Sequence, residues 1–311
     1  SYLKKLSKNN PSSLNLNDDV FFDRSKNLVV SVDTYVEGIH FIDFKKPDLV
    51  IKKIIRSSIS DIICKGVKPK YYFISGSGNK RSFSSSNLKK ISKSLNKEQS
   101  KYSISLCGGD TVYSSKLSFT VTSIGFSKKI IYRNNAKLND DIYVTGNLGD
   151  SFMGLKILKK KININKSINN YFIKKYYLPD IPINICKNLF YFAKSSIDIS
   201  DGLVDDLNKL INKQKDGYIL YSSKIPISKN LNNFLKRNNK NILKFISNGD
   251  DYQILFTSPK SKRKYIKNLS KRINIKITQI GNTTNVKNQR TIIDGKNQLK
   301  SINYRGYSHK F

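Results

Sequence analysis

The sequence predicts an α/β protein of two domains built from layered strands and helices. Along the whole chain, stretches with the apolar period of a strand alternate with stretches that have the period of a helix. The 311 residues are more than one ordinary domain needs. A polar segment at residues 128–139 follows a long predicted strand. We therefore predict a first domain of residues 1–135 and a second domain of residues 136–311.

Apolar periodicity defines the elements of the first predicted domain. A helix is predicted at Pro47–Lys65 because its apolar residues recur on one side, namely Val50, Ile54, Ile55, Ile59, Ile62 and Ile63. A more polar helix is predicted at Ser86–Ser100. The predicted strands are Leu28–Val32, Tyr71–Ile74, Ile104–Cys107 and Leu117–Phe126. The stretch at residues 75–82 lacks Walker A spacing, and we interpret it as a loop between a strand and a helix.

The second predicted domain shows the same alternation. The predicted strands are Ile142–Thr145, Ile197–Ile199, Tyr218–Tyr221, Tyr252–Phe256 and Ile273–Ile280. The predicted helices are one that begins at Asp150, Ile168–Tyr177, Ile183–Ala193, Leu203–Asn212, and two more near residues 228–235 and 261–272. The turn at residues 178–182 contains two prolines and separates two of these helices.

The formal net charge of +35 raises the possibility of a nucleic-acid-binding protein. The basic residues are spread along the whole chain, however, and they accompany many Asn, Ile and Ser residues. This pattern indicates a composition bias, because the sequence has no arginine-rich stripe and no nucleic-acid-binding motif. We predict no specific nucleic-acid binding and expect the charge to attract anionic substrates.

Neither a membrane anchor nor a zinc site is predicted. No stretch of about 18 uninterrupted apolar residues occurs. Residues 1–10 are basic and lack the apolar run of a signal peptide, so we expect a cytoplasmic protein. Cys64, Cys107 and Cys186 are far apart and have apolar neighbours. Their spacing is not that of a zinc site, and we expect reduced, buried thiols.

The acidic residues are few, and more than half of them lie in short clusters at predicted strand or helix ends. Such carboxylates, next to Gly, Ser or Thr, suit Mg²⁺ and its phosphate ligands. Each cluster alone is also compatible with an ordinary turn or helix cap. Asp61 is different, because it lies between Ile59 and Ile62 in a predicted apolar helix, where an unpaired carboxylate is costly. A metal ion or a lysine would remove that cost.

Taken in order, these clusters resemble the sequence motifs of thiamine-monophosphate kinases. No single motif is specific, but the ordered set extends over nearly the whole chain. The motifs are Asn17-Asp18-Asp19, Ser31-Val32-Asp33-Thr34, Glu37-Gly38-Ile39-His40-Phe41, Ser58-Ile59-Ser60-Asp61 with Gly66 and Pro69, Gly108-Gly109-Asp110-Thr111, Thr145-Gly146 with Gly149-Asp150-Ser151, Asp198-Ile199-Ser200-Asp201-Gly202, Gly249-Asp250-Asp251-Tyr252, and Tyr304-Arg305-Gly306-Tyr307.

The resemblance implies the two-domain aminoimidazole-ribonucleotide-synthetase-like (PurM-like) fold and a homodimer formed through the N-terminal domains. The N-terminal domain would also bind ATP and Mg²⁺, and the C-terminal domain would complete the active site. The implied reaction is direct transfer of the ATP γ-phosphoryl group to thiamine monophosphate, with several Mg²⁺ ions that hold the polyphosphate.

The resemblance also implies roles for particular residues. The implied magnesium ligands are Asp19, Ser31, the carbonyl of Val32, Asp33, Asp61, Asp110, Asp198 and Asp201. Asp33, Asp61 and Asp110 would be catalytic through these ions. The implied ATP contacts are Gly109, Arg133 and Ser200. The implied contacts to thiamine monophosphate are His40, Asp250 and Tyr304.

Six positions depart from the motifs of the family. Five of them, Asn17, Val32, Ser58, Val112 and Asn248, carry small or chemically similar replacements. Asp250 stands where the family usually has Glu, so its carboxylate is one methylene closer to the backbone. No departure removes a carboxylate that is implied to bind metal.

Other interpretations remain open on the sequence alone. Another ATP-dependent synthetase of the same superfamily is the main alternative, although the reactive N-terminal Cys of a selenophosphate synthetase and the C-terminal Cys of a hydrogenase-maturation protein are missing. A basic nucleic-acid-binding protein is an alternative from a different class, but it leaves the ordered Asp motifs unexplained. A catalytically inactive relative is a third, and the retained acids argue against it.

Overall fold

A computed structural model describes residues 2–211, 214, 217–286, 289–294, 298–301 and 306. The chain divides into two compact units. The first unit consists of residues 1–63 and 67–130, and the second consists of residues 64–66 and 131–311. None of the helices in the described part of the chain is long and apolar enough to cross a membrane.

The first unit contains a six-stranded sheet with the strand order β1-β2-β6-β3-β4, in which β5 also pairs with β3. Most pairs are antiparallel, but β3 runs parallel to β4 and to β5. The elements are α1 (Tyr2–Leu6), a 3-10 helix (Pro11–Leu16), β1 (Phe21–Asp23), β2 (Leu28–Val36), α2 (Pro47–Cys64), β3 (Pro69–Gly78), α3 (Ser85–Tyr102), β4 (Ser105–Gly108), β5 (Thr111–Tyr113) and β6 (Ser118–Phe126).

The helix α2 packs on β6, as its apolar period predicts. Its predicted apolar residues are all buried. The hydroxyl groups of Ser58 in α2 and Ser123 in β6 are 2.8 Å apart. A Cβ atom added to Gly125 of β6 would lie 3.2 Å from Ile62 in α2, so the glycine allows the helix to approach the strand closely. Burial of this face fixes the position of Asp61.

Two predictions for the first unit are wrong in part. Residues 75–78 belong to β3 and not to a loop, because they pair with β6 and β5. Cys107 is exposed and not buried, since the whole of β4 and β5 is exposed in this chain. The apolar neighbours of Cys107 in the sequence therefore do not indicate a buried strand.

The second unit contains a seven-stranded sheet with the order β13-β12-β9-β11-β7-β10-β8. Its strands are β7 (Asp141–Thr145), β8 (Ser195–Asp198), β9 (Gly217–Tyr221), β10 (Ile254–Ser258), β11 (Ile277–Thr284), β12 (Arg290–Ile293) and β13 (Leu299–Ser301). Its α-helices are α4 (Asp150–Leu158), α5 (Lys166–Tyr177), α6 (Leu203–Leu210), α7 (Lys229–Arg237), α8 (Leu243–Ile246) and α9 (Arg263–Arg272). Three 3-10 helices are Ile183–Tyr191, Ser222–Lys224 and Lys260–Lys262.

Most predicted elements of the second unit are present, with three local differences. The helix predicted after the proline turn is a 3-10 helix, Ile183–Tyr191. The strand predicted from Tyr252 begins only at Ile254, because Tyr252 has a left-handed φ of 50° that no strand accommodates. The strand predicted from Ile273 begins at Ile277, because Ile273 caps α9 and Asn274 has a φ of 50°.

The sheet of the second unit brings three loops to one edge. Both β7 and β8 pair antiparallel with β10, so they run parallel to each other. Their carboxyl ends therefore lie beside the amino end of β10. As a result, the segments at residues 146–151, 199–202 and 249–253 share one edge of the sheet.

Candidate active site

Two strand residues and one helix residue form an acid group in the first unit. The side chains of Ser31, Asp33 and Tyr35 lie on one face of β2, because every second residue of a strand points the same way. The Ser31 hydroxyl donates a hydrogen bond of 2.5 Å to Asp61 of α2. The Tyr35 hydroxyl donates to Asp33 at 3.2 Å. We call Ser31, Asp33 and Asp61 the β2 acid group.

The surroundings of Tyr35 raise the pKa of its hydroxyl. Burial raises this pKa well above its usual value, and the charges of Asp33 and Asp61 raise it further. Tyr35 therefore stays protonated and acts as a hydrogen-bond donor to Asp33. The buried hydroxyl fixes the direction of that carboxylate.

The predicted substrate residue His40 lies beside the β2 acid group. Its Nδ1 atom accepts a hydrogen bond of 3.0 Å from the amide of Val36 at the end of β2. Its ring meets the ring of Tyr35 edge-on, with centroids 6.0 Å apart. Since Nδ1 is an acceptor, a neutral His40 carries its proton on Nε2 and donates from that atom.

Asp19 and Val32 lie at the border of the same region. The amide of Asp19 donates to the side chain of Asp18 at 2.9 Å. β1 pairs with β2 in a register that joins Phe21 to Val30, so the chain before β1 continues towards Val32. The Val32 side chain is 60% exposed on the other face of β2, and only its backbone can serve as a ligand on this side.

Gly109 and Asp110 connect β4 to β5 beside residues 74–76 of β3. A Cβ atom on Gly109 would lie 1.7 Å from the carbonyl oxygen of Ile74, so only glycine fits this position. The carbonyl of Asp110 accepts from Gly76 at 2.8 Å, and its carboxylate accepts from the amide of Thr111 at 2.7 Å. β3 is two strands away from β2, or about 10 Å, so Asp110 is not part of the β2 acid group.

The second unit brings Asp198, Ser200, Asp201 and Asp250 together at the edge of its sheet. Asp198 ends β8. The amide of Asp250 donates to the carbonyl of Ser200 at 2.9 Å. A Cβ atom on Gly249 would lie 1.5 Å from the same carbonyl, so this contact requires glycine. The hydroxyl of Tyr252 donates to the carboxylate of Asp250 at 3.0 Å and holds it in place.

Asp201 is paired with a lysine of its own chain. The Lys209 ammonium group donates to Asp201 and, at 2.9 Å, to Asp206. Asp206 is fully buried and also accepts from the amides of Asp201 and Gly202 at 2.9 and 3.0 Å. Burial raises the pKa of Asp206 to about 7, although Lys209 opposes this shift. These bonds fix the start of α6.

The backbone next to the predicted residue Arg133 lies at the far end of α6. The amide of Asn134, next to Arg133, donates to Leu210 at the far end of α6 at 2.7 Å. An eight-residue helix is about 12 Å long, and Asp201 precedes its start. Tyr304 lies outside the described residues. Gly306, two residues further along the chain, donates from its amide to the carboxylate of Asp205 in α6 at 2.6 Å.

A cavity of about 510 Å³ opens beside the same edge of the second unit. Two buried carboxylates, Asp150 and Asp251, line it. Asp251 accepts from the amide of Gly149 at 2.8 Å, which ties the 249–253 loop to the start of α4. Tyr171 and Ser228 donate to Asp150 at 2.8 and 2.7 Å. Burial raises the pKa of both acids.

Four residues of these groups were missed in the sequence, namely Tyr35, Asp206, Lys209 and Asp251. The alternation of Ser31, Asp33 and Tyr35 along one strand is a signal that could have identified Tyr35. The separation of three residues between Asp206 and Lys209 on a predicted helix is another. Asp251 stands in the motif Gly249-Asp250-Asp251-Tyr252, but its burial was not predictable, since it depends on α4, which is distant in the sequence.

The β2 acid group fits a magnesium ion. It offers only oxygen atoms, from two carboxylates and a hydroxyl, and hard oxygen ligands are those that Mg²⁺ prefers. Both carboxylates are also partly buried, and a cation would offset the cost of burying their charges. Asp201 offers the same chemistry, but its carboxylate is bound to Lys209.

Comparison with curated proteins decides the family. The chain is 38% identical over 290 residues to thiamine-monophosphate kinase of Buchnera aphidicola subsp. Acyrthosiphon pisum, with 91% of this chain and 87% of the relative covered. It is 30% identical over 302 residues to thiamine-monophosphate kinase of Leptospira interrogans, with 96% and 94% covered. The chain belongs to the thiamine-monophosphate kinase family.

Solved structures agree with this family and confirm the predicted fold. The protein AaThiL, complexed with AMPPCP and TMP, matches with a TM-score of 0.86 at 26% identity over 99% of this chain and 96% of AaThiL. Thiamine monophosphate kinase of Aquifex aeolicus matches with a TM-score of 0.80 at 26% identity, with 97% and 98% covered. Residues 17–127 match the family model "AIR synthase related protein, N-terminal domain". The chain therefore has the predicted α/β fold of the aminoimidazole-ribonucleotide-synthetase-like (PurM-like) type.

Proposed function

We propose that this protein phosphorylates thiamine monophosphate with ATP and produces thiamine diphosphate and ADP. The decisive observation is the β2 acid group, an all-oxygen site for Mg²⁺ in a chain that belongs to the thiamine-monophosphate kinase family. The complex of AaThiL with TMP and an ATP analogue supports the pair of substrates.

The reaction is a single phosphoryl transfer. A phosphate oxygen of thiamine monophosphate attacks the γ-phosphorus of ATP and forms a new P–O bond. The bond from the γ-phosphorus to the β–γ bridging oxygen breaks, and its electron pair leaves with ADP. Since both reactants are anions, the site must neutralise charge and align the two phosphates. Magnesium, when bound, supplies the positive charge.

In the first unit, we assign metal binding to the β2 acid group with Asp19, Asp110 and the Val32 carbonyl. Asp33, Asp61 and Asp110 are the catalytic residues among these. The hydrogen bonds of Ser31 and Tyr35 to the acid group support its part of this assignment, because they hold both carboxylates in fixed directions. We assign Gly109 to ATP, since this glycine is exposed and its backbone lies directly on Ile74 of β3.

In the second unit, we assign metal binding to Asp198 and Asp201 and ATP binding to Ser200 and Arg133. For thiamine monophosphate, we assign Asp250 and Tyr304, together with His40 of the first unit. The bond between Tyr252 and Asp250 supports a fixed carboxylate at this position. The hydrogen bond from Gly306 to Asp205 supports the assignment of Tyr304, which is two residues away in the sequence.

We further propose that residues 1–135 bind ATP and Mg²⁺ and form a homodimer, and that residues 136–311 complete the active site. The exposed edge formed by β4 and β5 supports the dimer, because Leu106, Val112 and Tyr113 are 43%, 51% and 83% exposed there. A molar mass of a single chain in light scattering would refute the homodimer.

We also propose that the protein is cytoplasmic, which its three free thiols support.

The test of the function is product formation, with Asp61→Asn as the diagnostic variant. Purified protein, ATP, Mg²⁺ and thiamine monophosphate should yield thiamine diphosphate, which chromatography detects. We expect Asp61→Asn to lower kcat about 100-fold or more, because the variant loses one charge of the β2 acid group. The matched control is Asp43→Asn, which changes an exposed carboxylate next to Lys45 and should leave kcat unchanged.

Each contrary outcome of this test has a separate meaning. ATP binding without product would refute thiamine monophosphate as the acceptor and favour another synthetase of the superfamily. Binding of random-sequence DNA without ATP binding would favour the basic nucleic-acid-binding alternative. Equal kcat in Asp61→Asn and Asp43→Asn would refute the role of the β2 acid group but not the proposed reaction.

A further inference from the structure

The Asp201 carboxylate is bound to a cation that the chain itself supplies. Lys209 is in the second turn of α6, and its ammonium group donates to both Asp201 and Asp206. The side chains of Lys209 and Asp201 are 38% and 30% exposed, whereas that of Asp206 is fully buried. The ammonium group thus lies between a buried acid and a solvent-accessible one.

The backbone around Asp201 is held in place from two sides. Asp206 accepts from the amides of Asp201 and Gly202, and Asp205 accepts from the amide of Gly306. A Cβ atom on Gly202 would lie 2.5 Å from the backbone of Ser247, so this loop also packs tightly on its neighbour. The Lys209 side chain is the part of this arrangement that can move, because it is flexible and partly exposed.

We propose that Lys209 competes with a divalent metal ion for the Asp201 carboxylate and so weakens metal binding at this position. The inference rests on the proposed role of Asp201 as a metal ligand. An ammonium group and Mg²⁺ both seek the carboxylate oxygens, and a carboxylate in contact with one is not fully available to the other. A metal ion at Asp201 must therefore displace Lys209 or bind beside its positive charge, and either outcome lowers its affinity.

Metal binding by Lys209 variants tests the inference without reference to activity. Mn²⁺ would be titrated into the full chain, with and without the ATP analogue AMPPCP, and free Mn²⁺ would be measured by electron paramagnetic resonance. We expect Lys209→Met to bind one Mn²⁺ at least about tenfold more tightly than the wild type, because a unit positive charge is removed at close range. Lys209→Arg keeps the charge and should behave like the wild type.

Two further variants localise the effect. In an Asp201→Asn background, Lys209→Met should no longer tighten Mn²⁺ binding, because the shared carboxylate is gone. Lys175→Met is the matched control, since Lys175 forms an ion pair with the exposed Asp180 in the same unit. It removes the same charge at a place where no metal is proposed, and it should leave Mn²⁺ affinity unchanged.

The possible failures are distinguishable. Wild-type affinity in Lys209→Met, with folding confirmed by circular dichroism, would overturn the role of Lys209 and leave the proposed metal ligands intact. Lys209→Gln is the second variant if the Met variant does not fold. Absence of Mn²⁺ binding in every form would overturn the proposed metal site and the inference with it. An equal gain in Lys175→Met would show a general charge effect and would also overturn the inference.

Discussion

At the scale of single residues, Gly109 shows how a backbone contact defines the proposed ATP site. Its Cα faces the backbone of Ile74, and the absence of a side chain lets the 108–111 loop lie directly on β3. All four residues of this loop are exposed and therefore accessible to a nucleotide. Any larger residue must push the loop away from β3, and Asp110 with it.

We expect Gly109→Ala to weaken ATP binding at least about tenfold and to lower the free energy of unfolding by about 1–3 kcal/mol. The cause is the collision of the new Cβ atom with the Ile74 carbonyl. Urea unfolding and calorimetric titration with AMPPCP measure the two effects. Gly38→Ala is the control. Alanine is strained at the φ of +80° that Gly38 adopts, but no atom lies within 4 Å of the new Cβ. Equal effects in both variants would contradict the collision.

The buried carboxyl group of Asp251 should make the stability of the folded state depend on pH. Burial raises its pKa well above the usual value, so the folded state holds its proton over a pH range in which the unfolded state has lost it. The folded state then binds more protons, and its stability falls as the pH rises from about 4 towards the folded pKa. An Asp251→Asn variant has no charge to bury at this position, so its stability should not fall with pH for this reason.

We therefore expect the stability of wild type relative to Asp251→Asn to decrease between pH 5 and pH 8. Urea unfolding at the two pH values measures the difference. The exposed Asp180→Asn is the control and should show no such trend, since Asp180 is 70% exposed. A relative stability of Asp251→Asn that does not change with pH would mean that Asp251 is ionised in both states.

At the scale of elements, a buried ion pair joins the two long helices of the first unit. Arg56 of α2 donates to Glu98 of α3 through two nitrogen atoms, at 2.8 and 3.1 Å. Their side chains are only 8% and 3% exposed. α3 is polar along much of its length, and Glu98 is one of its four buried residues.

We expect Glu98→Ala to lower the free energy of unfolding by about 3–5 kcal/mol, because Arg56 is left buried without its partner. Replacement of both residues, as Arg56→Met with Glu98→Leu, should restore most of that loss, since no charge then remains buried. Thermal and urea unfolding measure both variants. A double variant as unstable as Glu98→Ala would show that packing, and not the lone charge, causes the loss.

The elements also show what the sequence can and cannot predict. α2 was predictable, because its apolar residues repeat with a clear period that places Asp61. The strand predicted at Leu28–Val32 was too short, since β2 continues through Asp33 to Val36. The burial of Glu98 was not predictable, since its partner lies 42 residues away. The same holds for the pairing of residues 75–78, which depends on the distant strand β6. Contacts between distant segments thus account for most of the misses.

At the scale of the whole molecule, the distribution of charge favours a kinase over a nucleic-acid-binding protein. The chain has a net charge of +35 and few acidic residues, several of which lie together in the β2 acid group and near Asp201. A basic surface with local acidic sites suits a protein that attracts polyanionic nucleotides and binds them through metal ions. A nucleic-acid-binding surface gains nothing from these acids, because they repel phosphates.

We expect the KM for ATP to rise several-fold when the salt concentration increases from about 20 to 200 mM, while kcat changes little. Screening weakens the attraction of ATP to the basic molecule, whereas the bound metal site is less screened. Steady-state kinetics at constant free Mg²⁺ measure this, and a neutral osmolyte at matched osmolality is the control. A KM independent of salt would leave the charge as composition bias without a role in substrate capture. A kcat that falls as steeply as the affinity would instead place the salt effect on the phosphoryl-transfer step.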